Sequence, residues 1–270
     1  MRNRLVIEFL GIILSFGALW FFFTWLDLAP KVKPLAFSVE QEQKLGDVLV
    51  EATLSTSDTL ESDVVRAAVD SVFSRLHGSL DSSKYHYHIY IVKSDEINAL
   101  TLPGGNIILF SGLLDFVDSP EQLAAIIAHE MGHVENRDVV FRLTRELGLN
   151  IVLSALFNGD NNVIKQINKT VISTAFSREE EARADSYAFK LLVKSKLKPS
   201  ALASFFSKLD NEKGGTYNKN LEFLMTHPHD QKRISAALTY PLPKNFIEAK
   251  FSNVNWVEVQ KDLEQQESSN

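Results

Sequence analysis

Ile126-Ile127-Ala128-His129-Glu130-Met131-Gly132-His133-Val134 constrains this chain more than any other stretch, because it sets two histidines and a glutamate inside an apolar helical run. Histidines four apart lie one above the other on a helix face, so both imidazoles can reach one metal ion. Glu130 sits about 100° round the helix from His129, where its carboxylate reaches a water on that metal without ligating it. H-E-x-x-H is the spacing of a zinc-dependent hydrolase. Upstream, Ser119-Pro120-Glu121-Gln122 places Ser at the N-cap, Pro at N1 and Gln at N3, so the motif falls well inside a helix. Leu123, Ile127, Met131 and Val134 give that helix an apolar stripe, which predicts burial. Buried histidines and a glutamate are costly without a partner, and this favours a metal over histidines that merely fill a core.

The chain has no cysteine, which excludes disulfides and thiolate ligands, so zinc must be held by imidazole and carboxylate. A catalytic zinc takes three protein ligands and leaves a fourth position open. Ser177-Arg178-Glu179-Glu180-Glu181-Ala182-Arg183-Ala184-Asp185 supplies a candidate third ligand in Glu181. Asp185 follows four residues later on the same helical face, where it can accept the N–H of a ligating histidine. On spacing alone Glu180 or a distant histidine serves as well as Glu181. Glu179, Glu180 and Arg183 otherwise read as a solvated, ion-paired face. His86 and His88 project from one face of a strand over Tyr85 to Val92 and read as solvated polar positions.

With 270 residues and 45% hydrophobic content, the rest of the chain can bury one substantial core. A formal charge of −6 with no long basic run gives no reason to expect nucleic acid. Phe9 to Leu26 is uncharged and rich in Leu, Ile and Phe; it is long enough to cross a bilayer as an uncleaved anchor, with Arg2 and Arg4 before it. Helices are expected from Ser38 to Leu54, Glu61 to Leu76 and Ser111 to Phe116. The motif helix should run on through Asn136-Arg137-Asp138, with Val139 to Glu146 extending or bending it. Leu147 to Phe157 is too short to span a membrane and reads as a core helix or an amphipathic lid. Further helices should run to about Lys196, from Pro199 to about Lys213 and from Asp230 to Leu238, with a flexible loop over Gly214 to Asn218. Gly104-Gly105 makes a hairpin turn ahead of a short strand, Asn106 to Phe110. That strand, taken as a sheet edge beside the cleft, offers Asn106, Ile107 and Ile108 to bind an extended substrate by main-chain hydrogen bonds. The expected division is 1–34 anchor and linker, 35–245 catalytic domain, and 246–270 peripheral tail.

H-E-M-G-H-V followed by S-R-E-E-E-A-R-A-D resembles the HtpX and CAAX prenyl protease family of zinc metallopeptidases. The resemblance extends to Glu181-Ala182-Arg183-Ala184-Asp185, to Thr226-His227-Pro228 with Arg233, and to the Asn98-Ala99 and Leu102-Pro103-Gly104-Gly105 elements. It covers about residues 95–240. It implies one Zn2+ per chain held by His129, His133 and Glu181, with Glu130 as general base. It also implies an α+β fold: a mainly helical zincin-like domain with a small sheet beside the active-site helix. A single apolar run places the chain with the single-anchor, quality-control branch, acting on polypeptides that are unfolded or misassembled. The expected location is a bacterial inner membrane with the domain in the periplasm, or alternatively a mitochondrial inner membrane. His227 carries three readings: it stabilises the oxyanion of the reaction, it is a displaceable fourth zinc ligand, or it caps the Asp230 helix. The competing reading of the whole chain is a membrane-tethered chaperone or scaffold that keeps zinc for stability. Oligomeric state is not legible.

Overall fold

A computed structural model describes residues 37–212, 221–228 and 230–268, with short pieces at 11 and 14–16. The chain divides into two units, Met1–Ala36 and Phe37–Asn270. The apolar run Phe9 to Leu26, the Gly214 to Asn218 loop and His229 fall outside the described residues, save for the short pieces just named. Among the described residues no helix is long and apolar enough to cross a membrane.

The second unit is mostly helical, with one three-stranded sheet, an α+β arrangement. Helix α1 (Val39–Leu54) opens on a capping box in which Ser38 and Gln41 satisfy each other's backbone N–H groups. Helix α2 (Asp63–His77) follows, capped by Ser62. Strands β1 (His88–Val92), β2 (Ala99–Leu102) and β3 (Asn106–Phe110) form the sheet in the order β1-β3-β2. β3 runs parallel to β1 and antiparallel to β2, with Thr101 opposite Ile107 and Asn106 opposite His88. The Pro103–Gly105 turn joins β2 to β3 with Gly104 and Gly105 at φ +78° and +94°. A Cβ on Gly104 would stand 2.6 Å from Gln43 Cα, so the hairpin here needs both a positive φ and the missing side chain.

β3 is therefore the central strand, not an edge. Both sides of its backbone are already paired and Asn106, Ile107 and Ile108 are buried, so they are not available to an extended substrate. The outer strand next to the motif helix is β2.

Alternate residues of β3 face opposite sides of the sheet. Ile107 and Leu109 join one core cluster; Ile108 joins the other, with Leu100 and Leu102 of β2. After α3 (Ser111–Phe116), the motif helix α4 (Pro120–Asn136) packs into the first cluster. The second is built on α1 together with α5 (Asp138–Leu147), α6 (Leu149–Asn158) and α7 (Asn161–Ser173). The apolar Leu147 to Phe157 stretch is thus mostly α6, with Val152 and Ala155 buried and Phe157 exposed. Helices α8 (Arg178–Lys194) and α9 (Ser200–Glu212) pack against α4; α10 (Glu222–Thr226) and α11 (Gln231–Thr239) follow, α11 packing on α9 and α8.

The polar stretch expected to be a peripheral tail contains a packed helix, α12 (Trp256–Ser268). Trp256, Val259 and Leu263 recur at helical spacing and are buried against the first core, and Trp256 Nε1 donates to Val117 O at 2.8 Å. Burying each of these apolar groups is worth roughly 2 kcal/mol, enough to fold an otherwise polar segment onto the domain.

Candidate metal centre and active site

Ser119 caps α4 as its sequence predicts, accepting the Gln122 N–H. Two turns on, His129, Glu130 and His133 are all fully buried. The helix does not continue through Asp138. Arg137 adopts the left-handed conformation at φ +61°, ending α4 and starting α5 in a new direction. Arg137 is held in this conformation by its guanidinium, which donates to Phe37 O and to the buried Glu42, itself bonded by Tyr85 at 2.7 Å.

That break brings Asp138 back over the motif. His133 Nδ1 lies 2.9 Å from Asp138 Oδ2, and Arg183 Nη2 donates to Asp138 Oδ1 at 2.8 Å. His129 Nδ1 stands 2.9 Å from Asp185 Oδ1. Each imidazole therefore has a carboxylate behind it that fixes the ring and points Nε2 forward, the support that metal-binding histidines need. Asp185 was legible as such a partner in the sequence. Asp138 was not, since nothing in Asn136-Arg137-Asp138 signals a left-handed break.

The forward-pointing atoms converge. His129 Nε2 is 3.1 Å from His133 Nε2, 3.3 Å from Glu181 Oε2 and 3.3 Å from His227 Nδ1. Glu181 Oε1 is 3.1 Å from His227 Nδ1 and 3.5 Å from His133 Nε2. A tetrahedron with bonds of about 2.0–2.1 Å has edges of about 3.3 Å. The observed separations are close to that length, and the four residues, all buried, can hold one metal ion between them, with His227 as a fourth donor. Glu180, the rival to Glu181, is committed elsewhere: it closes a capping box with Ser177 and pairs with Arg145 at 3.2 Å. His86 and His88 are exposed, away from this cluster. His227 does not cap α11, whose first N–H groups are taken by Asp230.

Charges around His129, Glu181 and Asp185 oppose burial and overcome it, whereas burial prevails at His227. Burial works against a charge on His129, yet Glu181 and Asp185 hold its pKa up at about 9. Burial likewise disfavours the Glu181 carboxylate, but His227 and His129 keep it well below the usual range. Asp185 stays low despite burial through His129 and through Arg233, which grips it with two hydrogen bonds of 2.7 and 2.8 Å. Arg233 Nη1 also touches Glu181 Oε2. Burial pulls His227 below its ordinary value. Zinc binds the ionised carboxylate and the neutral imidazole, so its binding displaces the proton that Glu181 and Asp185 hold on His129.

Two aromatic rings roof the cluster. Phe176 stacks on His133 at 3.8 Å between centroids, and Phe223 stacks on His227 at 4.4 Å. Phe176 N donates to Thr226 O, tying the segment before α8 to the one before His227.

Helices α4 and α8 meet at Gly132, where a Cβ would stand 2.8 Å from Ala184 O and 2.9 Å from Ala184 Cα. Gly132→Ala should gain about 1 kcal/mol of helix propensity against about 1–3 kcal/mol of overpacking. The larger consequence falls on α8, because Ala184 lies between Glu181 and Asp185. Metal affinity is expected to drop roughly tenfold or more in chelator competition. Wild-type affinity in that variant would show that α8 is not set by this contact.

Residues 64–240 match the model of peptidase family M48. The chain belongs to peptidase family M48. It is 27% identical over 229 residues to the β-barrel assembly-enhancing protease of Yersinia pestis, an alignment covering 78% of this chain and 46% of that protein. It is 28% identical over 170 residues to the metalloprotease LoiP of Escherichia coli, covering 60% and 65% of the two chains. Against the mitochondrial metalloendopeptidase OMA1 of Arabidopsis thaliana it is 28% identical over 148 residues, covering 54% and 30%. This chain thus spans about half the length of the two assembly-enhancing relatives from Yersinia pestis and Escherichia coli, at 46% and 44%. The family is M48 as a whole, a broader grouping than the HtpX and CAAX proteases that the motifs resemble.

Proposed function

We propose that this chain is a zinc-dependent metalloendopeptidase of family M48 in which His227 closes the site until substrate or a partner displaces it. The observation that carries this reading is the buried cluster of donor atoms from His129, His133, Glu181 and His227, all within 4.8 Å of one another, with Glu130 beside it. A zinc ion held there supplies Lewis acidity, making water nucleophilic near neutral pH and polarising a scissile carbonyl. His129, His133 and Glu181 hold the ion, while Asp185 and Asp138 orient the two imidazoles. Glu130 Oε1 is buried with no hydrogen-bond partner and lies 3.5 Å from His227 Nε2. An unsatisfied carboxylate oxygen in that position takes a proton from attacking water and returns it to the departing amine.

The proposed substrates are unfolded or misassembled polypeptides; the relatives' names support a protease, and that of the Yersinia pestis relative one that enhances β-barrel assembly. The uncharged run Phe9 to Leu26 supports attachment to a membrane; the proposed location is a bacterial inner membrane with the domain in the periplasm, with a mitochondrial inner membrane as the alternative. The deciding experiment compares cleavage of an unfolded protein such as casein by wild type and Glu130→Gln, with zinc content measured on both.

A fourth protein ligand also favours the scaffold reading, because structural zinc sites are closed by four. His227→Ala separates the two. A displaceable ligand predicts severalfold faster basal proteolysis with zinc retained by the other three residues. A structural ligand predicts zinc loss and no gain in rate. If His227 instead stabilised the oxyanion, the rate would fall with zinc in place.

A further inference from the structure

The general base needs an orientation as well as a place, and α4 alone does not provide one. A glutamate on a helix has three side-chain torsions, and the Glu130 carboxylate must keep one oxygen turned toward the cluster of His129, His133, Glu181 and His227. Thr101 of β2 approaches it from the sheet. Thr101 Oγ1 lies 2.6 Å from Glu130 Oε2 and 3.2 Å from Glu130 O. A hydroxyl carries one proton, and the shorter contact to a carboxylate is the one that takes it. Glu130 Oε1 is left with no hydrogen-bond partner although it is fully buried. The two oxygens of one carboxylate therefore have different tasks: Oε2 is held, and Oε1 is free on the side of the metal-binding cluster.

We propose that Thr101 is the positioning residue of Glu130, fixing one carboxylate oxygen so that the other faces the reacting water. This inference rests on the peptidase reading above. Three features make Thr101 suited to it. Its branched side chain is stiff at χ1. Its backbone is pinned in register opposite Ile107 of the central strand. It is buried, so no water competes for the carboxylate oxygen it holds. The sheet thereby takes part in the site through β2, while β3, the strand expected to bind substrate, serves as its foundation.

A hydroxyl that merely satisfied itself in the core would affect stability and leave turnover untouched. A positioning hydroxyl gives a different pattern. With full-length protein and casein as substrate, Thr101→Val should lower kcat roughly ten- to hundredfold, the cost of misplacing a reacting group by a fraction of an ångström to an ångström. KM should stay within about twofold and zinc content should stay at the wild-type level. Thr101→Ser restores the hydroxyl without the methyl and should recover most of kcat; Thr101→Ala should not. In a Glu130→Gln background, Thr101→Val should produce no further loss of the same size, since the group it positions is gone.

The Ser and Ala variants also decide the matter if the Val protein does not fold. Equal kcat in those two, or a change confined to KM or to zinc content, overturns the role given to Thr101. Equal activity of Glu130→Gln and wild type would instead overturn the peptidase reading itself, so the two failures are distinguishable.

Discussion

Glu130→Gln should lower proteolysis by about two to four orders of magnitude, the usual worth of a general base, while zinc content stays at the wild-type level. The substitution is nearly isosteric. Its side-chain carbonyl can still accept from Thr101, so the site should not rearrange. What it cannot do is receive a proton from water. Retention of the ion follows from geometry: the donor cluster comprises His129, His133, Glu181 and His227, and Glu130 is not among its donors. Its carboxylate stands 3.5 Å from the rear nitrogen of His227. The scaffold reading predicts the opposite, equal behaviour of the two proteins, because a glutamate that neither ligates nor transfers protons is dispensable. A loss of rate with the ion in place would leave base catalysis as the explanation. Equal rates, or no cleavage by either protein across varied unfolded substrates, would sink the enzyme.

The parts of this site that were legible in the sequence are those written within one helix. His129, Glu130 and His133 are fixed by a spacing, and the Ser119-Pro120 start places that spacing inside an apolar helix. Asp185 was legible because helical periodicity puts it on the face of Glu181, and the structure sets it against His129. Choosing Glu181 over Glu180 needed the family resemblance, because both neighbours are acidic and only the rotation of α8 about its axis tells them apart. What escaped the sequence depends on joins between elements. Asp138 reaches His133 only because Arg137 takes a left-handed conformation that non-glycine residues rarely adopt. The restraint on Arg137 comes from Glu42, almost a hundred positions earlier, which no local pattern could reveal. Strand order is of the same kind. Asn106 to Phe110 reads as a strand, but its central position depends on where the chain crosses over, not on its own residues. Trp256, Val259 and Leu263 do carry helical spacing, and the polar residues between them obscured it.

Glu181→Ala is expected to have the most severe outcome, since it removes a ligand and a buried charge at once. Structural zinc in zinc-finger peptides is bound with about 10–16 kcal/mol through four ligands. On that scale one permanent ligand is worth about 3 kcal/mol, roughly a hundredfold in affinity, and Glu181 is one of the three permanent ligands in the proposed reading. The second effect does not depend on zinc. Glu181 is fully buried beside Arg233, His129 and His227. Deleting one side of a buried ionic cluster typically costs about 3–5 kcal/mol, because the other side is left uncompensated. The sign with pH follows from the depressed carboxylate pKa. The contribution of Glu181 is complete above the unfolded-state value of about 4.3 and fades as pH falls through the lower folded-state value. The zinc-free Ala variant should therefore unfold at lower temperature at pH 7 and approach the zinc-free wild type on strong acidification. Glu181→Gln, which can still accept from Arg233, should lose zinc with less damage to the fold. Glu180→Ala is the matched control: it removes the N3 side chain of the capping box and its pairing with Arg145, and should keep its zinc and its activity. If Glu181→Ala retained a full complement of zinc while Glu180→Ala lost it, the ligand assignment would be inverted. The rotation of α8 that places Glu181 at the cluster would then be wrong.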